Sequence, residues 1–215
     1  MSVDTYVGFY ARFNTLSKKD AAALLGADNL VGDVFEIIFD TNEEGETVAW
    51  MKNRFGSLVG FFDADTTRRL RILNAREWHL KAILSFVAFT DHPEPGHYWG
   101  EAAIICYSPV YEAEFTTFIE GLAPRIADGV RPDVDLGEQG AQQVIESGGL
   151  WSPTKTMPFP AKQQGTVIMK SRRKMSEKLI EQGRKGNKGC YVVSWLFLLL
   201  VVAGLLFGLK SCGVF

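Results

Sequence analysis

The first half of the chain consists of short apolar runs that are separated by polar turns. Runs with the aromatic and β-branched residues typical of strands occur at 5–13, 34–39, 47–52, 57–62, 79–90 and 99–107. The alternation in 79–90 is imperfect, which predicts a bend or a β-bulge. Because short turns join most neighbouring runs, the pattern favours antiparallel pairing over a doubly wound parallel sheet.

Helical periodicity appears between and after these runs. It predicts helices over 17–26, 66–76, 109–127 and 138–147. Asp63 or Asp65 is placed to cap the second of them, and Pro124 is expected to end or kink the third. The prediction for residues 1–147 is therefore an α+β body with a mostly antiparallel, partly closed sheet or barrel and inserted helices.

The composition changes after residue 147. Residues 148–165 contain three prolines and three glycines, which predicts a linker. We expect Trp151, Met157 and Phe159 within it to pack back on the body, the alternative being contact with lipid headgroups. Residues 166–188 follow as a basic juxtamembrane segment, in which Met169, Met175, Leu179 and Ile180 indicate a short amphipathic helix.

Residues 189–209 carry no charged side chain. A helix of these 21 residues would be about 32 Å long at about 1.5 Å per residue, close to the roughly 30 Å hydrocarbon layer of a bilayer. Tyr191 and Trp195 are placed for one interface and Lys210 for the other. The pattern predicts one C-terminal transmembrane helix, because a chain of 215 residues has too small a core to surround such a segment.

Basic side chains predict the orientation of this span. Those that precede it are Lys170, Arg172, Arg173, Lys174, Lys178, Arg184, Lys185 and Lys188, whereas only Lys210 follows. The positive-inside tendency then places the N-terminal body in the cytoplasm. The chain starts without the basic and apolar regions of a secretory signal, so we expect a single-pass, tail-anchored membrane protein with a short extracytoplasmic tail, 210–215.

The same cluster of cations has a second interpretation, since Lys and Arg beside a span attract anionic lipid headgroups. Within the span, Gly204 and Gly208 have the four-residue spacing that lets two membrane helices approach closely. A homodimer through this face is one explanation of the two glycines, and the general frequency of glycine in membrane helices is the other.

Charge is distributed unevenly along the chain. Residues 1–165 carry 14 Lys and Arg against 23 Asp and Glu, a formal charge of −9. Residues 166–215 carry 9 against 2, a formal charge of +7. An acidic body disfavours nucleic acid as a partner, because that affinity depends on cations that neutralise phosphates.

The polar loop between the last two strand-like runs is a candidate metal site. His92, Glu94, His97 and Glu101 offer the nitrogen and oxygen atoms that zinc or manganese takes. Their spacing is not that of a helical metalloprotease motif, and the two prolines and the glycine predict a loop. The alternative is a solvent-exposed connection with Tyr98 and Trp99 packed at its base.

Other catalytic signals are missing from the sequence. It has neither a glycine-rich phosphate loop nor the G-x-S-x-G turn of a serine hydrolase. The sequence therefore predicts no cofactor and favours a non-catalytic binding or scaffold domain with a protein partner. A metal-dependent enzyme that uses the 91–101 loop is the first alternative.

The run from Val7 to Pro109 resembles a HIRAN domain, a small β-barrel module. The likeness consists of V-G-F-Y at the start, a long acidic hairpin, and G-S-L-V-G-F-F-D followed by a helix with R-R-L. Asn42-Glu43-Glu44-Gly45 departs from the Asn-Pro-x-Asp type of turn usual in that family. The resemblance implies a nucleic-acid end-binding module, the second alternative, and carries no particular binding residue over to this chain.

Overall fold

A computed structural model describes residues 5–16, 18–41, 45–161, 164–184 and 196–202. It divides the chain into two units, residues 1–173 and 174–215. The first unit is a mixed α/β domain built on an antiparallel β-barrel. Its strands are β1 (Tyr6–Asn14), β2 (Val34–Thr41), β3 (Thr47–Lys52), β4 (Leu58–Phe62), β5 (His79–Thr90), β6 (His97–Tyr107) and β7 (Thr166–Lys170). Its helices are α1 (Lys18–Leu25), α2 (Ala64–Asn74), α3 (Glu112–Ala127) and α4 (Gly137–Glu146).

Six of the strands in the described residues close into a barrel, in the order β2-β3-β4-β1-β6-β5, with β5 returning to β2. The predicted antiparallel sheet is thus confirmed, and it is fully closed. Strand β5 is long enough to serve two partners on one edge: residues 81–83 pair with β2 and residues 87–90 pair with β7. A register shift between Leu84 and Phe86 confirms the predicted irregularity.

One hydrophobic core fills the barrel. Phe13, Phe35, Met51 and Ile104 point into it, and Leu24 of α1 with Leu70 and Leu73 of α2 belong to the same cluster. The ring of Phe13 lies against Gly60 and Gly100, where a methyl group would come within 2.6 Å of its ring atoms. The interior therefore alternates large side chains with glycine, as a narrow barrel requires.

A second core covers the outer face of β1, β5 and β6. Phe115, Phe118 and Leu122 of α3 pack there on Ile105 and Tyr107. Because β5 and β6 are buried on both faces, their sequences are nearly continuous apolar runs. Helix α3 continues through Pro124 and ends at Ala127, the predicted end, so of the two effects expected of this proline it does not have the first, ending the helix.

The segment predicted as a linker lies on the body. Residues 156 and 132 form an isolated β-bridge, the Met157 amide donates to the Arg131 carbonyl at 2.7 Å, and Phe159 packs on Phe86. Trp151 joins the outer core. Strand β7 then extends the sheet, so the first unit continues through Arg173.

The second unit contains α5 (Met175–Arg184) and a helical stretch over 196–202. Helix α5 contains Met175, Leu179 and Ile180 of the predicted amphipathic helix, whereas Met169 lies in strand β7. No helix among the described residues has both the length and the apolar character to cross a bilayer. The predicted span 189–209 lies mostly outside those residues, as do Gly204, Gly208, Lys185 and Lys188.

Candidate arginine and aromatic site

A row of side chains crosses the outer face of three neighbouring barrel strands. Arg12 of β1 is paired in register with Glu101 of β6, and Glu101 is paired with Phe86 of β5. Trp99 lies two residues before Glu101 and therefore shares its face of the sheet. Together with Arg131, Tyr10 and His97, these residues form what we call the arginine site.

Arg131 reaches this face from the turn after α3. Gly129, with a φ of 89°, ends the helix in the left-handed conformation that glycine adopts at low cost. The chain then runs extended beside 155–157, because Arg131 and Asp133 exchange backbone hydrogen bonds with that segment. The guanidinium is thereby directed onto the sheet, where only 5% of the Arg131 side chain is exposed.

Glu101 neutralises this buried cation. Arg131 Nη2 donates to Glu101 Oε2 at 2.5 Å, and the Glu101 side chain is 17% exposed. The guanidinium carbon lies 4.4 Å from the ring centre of Tyr10, 5.0 Å from that of Phe159 and 5.5 Å from that of Phe86. The other two nitrogens of Arg131, Nε and Nη1, have no hydrogen-bond partner among the described residues.

Arg12 is the exposed cation of the arginine site. Its guanidinium carbon lies 4.1 Å above the ring of Trp99, and its Nη2 is 3.4 Å from His97 Nε2. The indole of Trp99 is fixed in turn, because its Nε1 donates to Thr90 Oγ1 at 2.8 Å. Among the described residues Arg12 has no carboxylate within ion-pair distance, although the body is acidic.

Burial changes the acidity of Tyr10. Removal from water raises the pKa of its phenol to about 12, while the nearby Arg131 opposes that rise. The hydroxyl donates to the Pro132 carbonyl at 3.0 Å. Tyr10 therefore stays neutral at ordinary pH and holds the 131–132 turn against β1.

The four residues predicted as metal ligands are not gathered into one centre. Glu101 pairs with Arg131 and His97 with Arg12, while the His92 side chain is 77% exposed, within 3.9 Å of Asp91. No group of three or more His, Cys, Asp or Glu side chains in the described part of the chain is arranged to hold a metal ion. Two guanidinium groups occupy the positions beside Glu101 and His97 where a metal cation was expected.

The basic residues predicted at the membrane surface fall into two groups. Lys170 and Arg173 are buried in the first unit, where Lys170 Nζ donates to the Asn29 carbonyl at 2.8 Å and Arg173 Nη2 lies 3.0 Å from Asp33 Oδ1. Arg172, Lys174 and Lys178 are exposed. The side chain of Arg184, with Lys185 and Lys188, lies outside the described residues.

Sequence reasoning found Glu101 and His97 but assigned them other partners, and it missed Arg12 and Arg131. Glu101 stands inside the apolar run W-G-E-A-A-I-I, and a carboxylate in such a strand requires a cation nearby. The sequence around Glu101 does not indicate which arginine supplies that cation. Comparison with protein families, with curated proteins and with solved structures finds no match.

Proposed function

We propose that this protein is a single-pass membrane protein that holds an acidic, non-catalytic β-barrel binding domain at the cytoplasmic face of a bilayer. The observation that carries the proposal is the uncharged segment 189–209 directly after a basic one. Its length matches a bilayer, and the cations on its N-terminal side favour a cytoplasmic body.

The described residues agree with this arrangement in two respects. Residues 196–202 are helical, and all seven of their apolar side chains are exposed. In α5, Met175 and Leu179 are exposed on one side, four residues apart, and Lys174 and Lys178 supply exposed positive charge. An exposed apolar stripe flanked by lysines is the pattern of a helix that lies on an anionic lipid surface.

The anchor is tested by fractionating cells that express the full chain. We expect it in the membrane pellet after alkaline carbonate extraction. Leu198→Lys with Val202→Lys should release it, because each lysine near the centre of a span costs about 2.5–3.5 kcal/mol on the insertion scale. Leu198→Ala with Val202→Ala is the matched control and should remain in the pellet.

The orientation is tested separately with sealed vesicles. A tag fused before residue 1 should be digested by protease that is added to sealed inside-out vesicles, which expose the cytoplasmic face. A full chain found in the supernatant would exclude the anchor. A tag protected until detergent is added would reverse the proposed orientation.

A nucleic-acid end-binding role is the second candidate, and one observation favours it: arginines and aromatic rings lie side by side in the arginine site. Such side chains stack on bases and contact phosphates. The formal charge of the first unit, −6 over residues 1–173, opposes this role. Binding of a ten-residue oligothymidylate that weakens steeply with added salt would support it.

A further inference from the structure

We propose that the arginine site binds a carboxylate group of a ligand, with Arg12 as the contacting residue. The inference deepens the proposed binding role, since it names the ligand chemistry of the same domain. It does not depend on whether 189–209 crosses a bilayer. The fractionation above can therefore disprove the anchor without affecting this inference, and the binding measurement below can disprove this inference without affecting the anchor.

The balance of charge is the first argument. Arg12 and Arg131 flank a single carboxylate, Glu101, which bonds to Arg131 at 2.5 Å. The three side chains leave one positive charge, and it resides on the exposed Arg12. Like Arg54, Arg12 has no carboxylate within ion-pair distance among the described residues, but unlike Arg54 it is in register with a carboxylate that a second arginine already neutralises.

The second argument is that the Arg12 guanidinium is held in place before any ligand arrives. It stacks on Trp99, and its Nη2 contacts His97. A guanidinium over an aromatic ring uses one face for that contact, and the N–H groups at its edge can meet a carboxylate with two hydrogen bonds. The Trp99–Thr90–Thr166 hydrogen-bond chain, at 2.8 and 2.9 Å, fixes the indole beneath.

The third argument comes from the buried guanidinium. Nε and Nη1 of Arg131 have no hydrogen-bond partner among the described residues, although the side chain is 95% buried. Buried donors without a partner destabilise the folded state, so a ligand acceptor that reached them would be favoured. Phe159, which is 37% exposed, covers the Arg131 guanidinium with its ring centre 5.0 Å from the guanidinium carbon. Displacement of its ring would expose those donors to a ligand that Arg12 already holds.

The long-range field decides between kinds of anion. The first unit, residues 1–173, has a formal charge of −6 and repels a polyanion in proportion to the polyanion's charge, whereas a singly charged carboxylate meets a much smaller barrier. A carboxylate also matches the fork of an arginine in geometry. The expected ligand is therefore a monocarboxylate, such as an acidic side chain or the C-terminus of a protein partner.

The test measures binding of benzoate to the full chain in a non-ionic detergent, by NMR shifts of the arginine Nε–H and indole N–H groups. We expect saturable binding of benzoate and none of benzamide, its neutral counterpart. Arg12→Gln should weaken benzoate binding about tenfold or more, the loss expected for a charge-assisted pair. Arg12→Lys should weaken it less, because it keeps the charge and loses the fork.

Two further variants separate the arginine site from a general charge effect. Arg54→Gln is the matched control, since Arg54 is also exposed and lies 4.6 Å over a ring, that of Phe55, and its binding should equal that of the unmodified chain. Glu101→Gln should strengthen binding, because it removes the competing carboxylate and keeps an acceptor for Arg131.

Several results would overturn the proposal. They are benzoate binding that is absent or unchanged by Arg12→Gln, equal binding of benzamide, or a larger effect of Arg54→Gln. Tighter binding of inorganic phosphate with the same dependence on Arg12 would reassign the arginine site to phosphate. Tighter binding of the ten-residue oligothymidylate would reassign it to nucleic acid.

Discussion

At the scale of single residues, Asp63 sets the start of α2. Its Oδ1 accepts a hydrogen bond from the Thr66 amide at 2.8 Å, which satisfies one of the unpaired donors of the first turn. Asp65, two residues later, lies in that first turn without this role. The sequence identified both carboxylates as candidates for the cap, and the structure selects Asp63.

The cap leads to a prediction with an internal control. Asp63→Ala should lower the free energy of unfolding by about 1 kcal/mol, the usual cost of losing such a cap. Asp65→Ala should cost only a few tenths of a kcal/mol, the size of a charge effect in the first turn. Urea unfolding followed by circular dichroism measures both, and equal losses would contradict the assignment of the cap.

Tyr10 predicts how stability depends on alkaline pH. Its pKa is about 12 in the folded protein and about 10 in an unfolded chain. Between these values only the unfolded state loses the proton, so the stabilisation present below pH 10 is lost as the pH rises toward 12. Urea unfolding at several pH values should show this fall, and Tyr10→Phe should make it shallower. An unchanged slope in Tyr10→Phe would exclude Tyr10 as its source.

The arginine site shows which contacts of single residues can be predicted from a sequence and which cannot. The alternation of β1 and β6 places Arg12 and Glu101 outward, which the pattern suffices to predict. Arg131 lies 30 positions after Glu101, in a turn with no periodicity. Its contact with Glu101 depends on how α3 packs over the sheet, and the sequence of the turn does not predict that packing.

At the scale of elements, glycines determine how closely the barrel strands approach one another and the side chains inside the barrel. A methyl group at Gly100 of β6 would lie 2.2 Å from the Phe86 carbonyl oxygen and 2.6 Å from the Phe13 ring. Gly121 of α3 has no heavy atom within 4 Å of the same position. The two glycines therefore differ in what surrounds them, although each lies inside a regular element.

This contrast predicts opposite effects of the same substitution. Gly100→Ala should destabilise the protein by at least about 1–3 kcal/mol, the cost of overpacking a core. Gly121→Ala should stabilise it by roughly 0.5–1 kcal/mol, because alanine restricts the unfolded chain and favours the helix. Thermal unfolding of the two variants shows whether each is more or less stable than the unmodified protein. Destabilisation by Gly121→Ala would contradict the placement of Gly121 at an open position in a helix.

Elements with a strong local pattern were predictable, and one without it was not. The hairpin of β2 and β3 is visible as alternation because one of its faces meets a core, and β5 is visible as a nearly continuous apolar run because both of its faces do. Strand β7 is only five residues long and lies beside a cluster of cations. Those charges favoured a juxtamembrane segment, because nothing local shows that Lys170 turns back into the body.

At the scale of the whole molecule, the C-terminal end of the first unit holds the 26–33 loop in place. Lys170 Nζ donates to the carbonyls of Gly26 and Asn29, and Arg173 Nε donates to that of Val31. The Arg173 amide donates to the Ala127 carbonyl at 2.7 Å. Two cations that the charge pattern assigned to lipid thus complete the folded domain.

A comparison of two truncations tests this conclusion. A chain that ends after residue 165 lacks β7, Lys170 and Arg173, and it should be at least roughly 3 kcal/mol less stable than a chain that ends after residue 184, at about 1 kcal/mol for each lost hydrogen bond. Urea unfolding of both fragments measures the difference. Equal stability would mean that the domain is complete without residues 166–173.

The burial of Lys170 and Arg173 also determines which contacts would first bear a pulling force that is applied at the C-terminal end of the domain. A pull transmitted along the backbone from residue 174 meets Arg173 first, then Lys170, which is paired with Val87, and then the other residue pairs between β7 and β5. The strain would reach the start of β2 through Asp33 before it reached Thr166, whose hydroxyl contacts the Thr90 hydroxyl under Trp99. Tension from that end therefore acts on the Arg173 contacts before it acts on the Thr166 contact that supports Thr90 and the indole of Trp99.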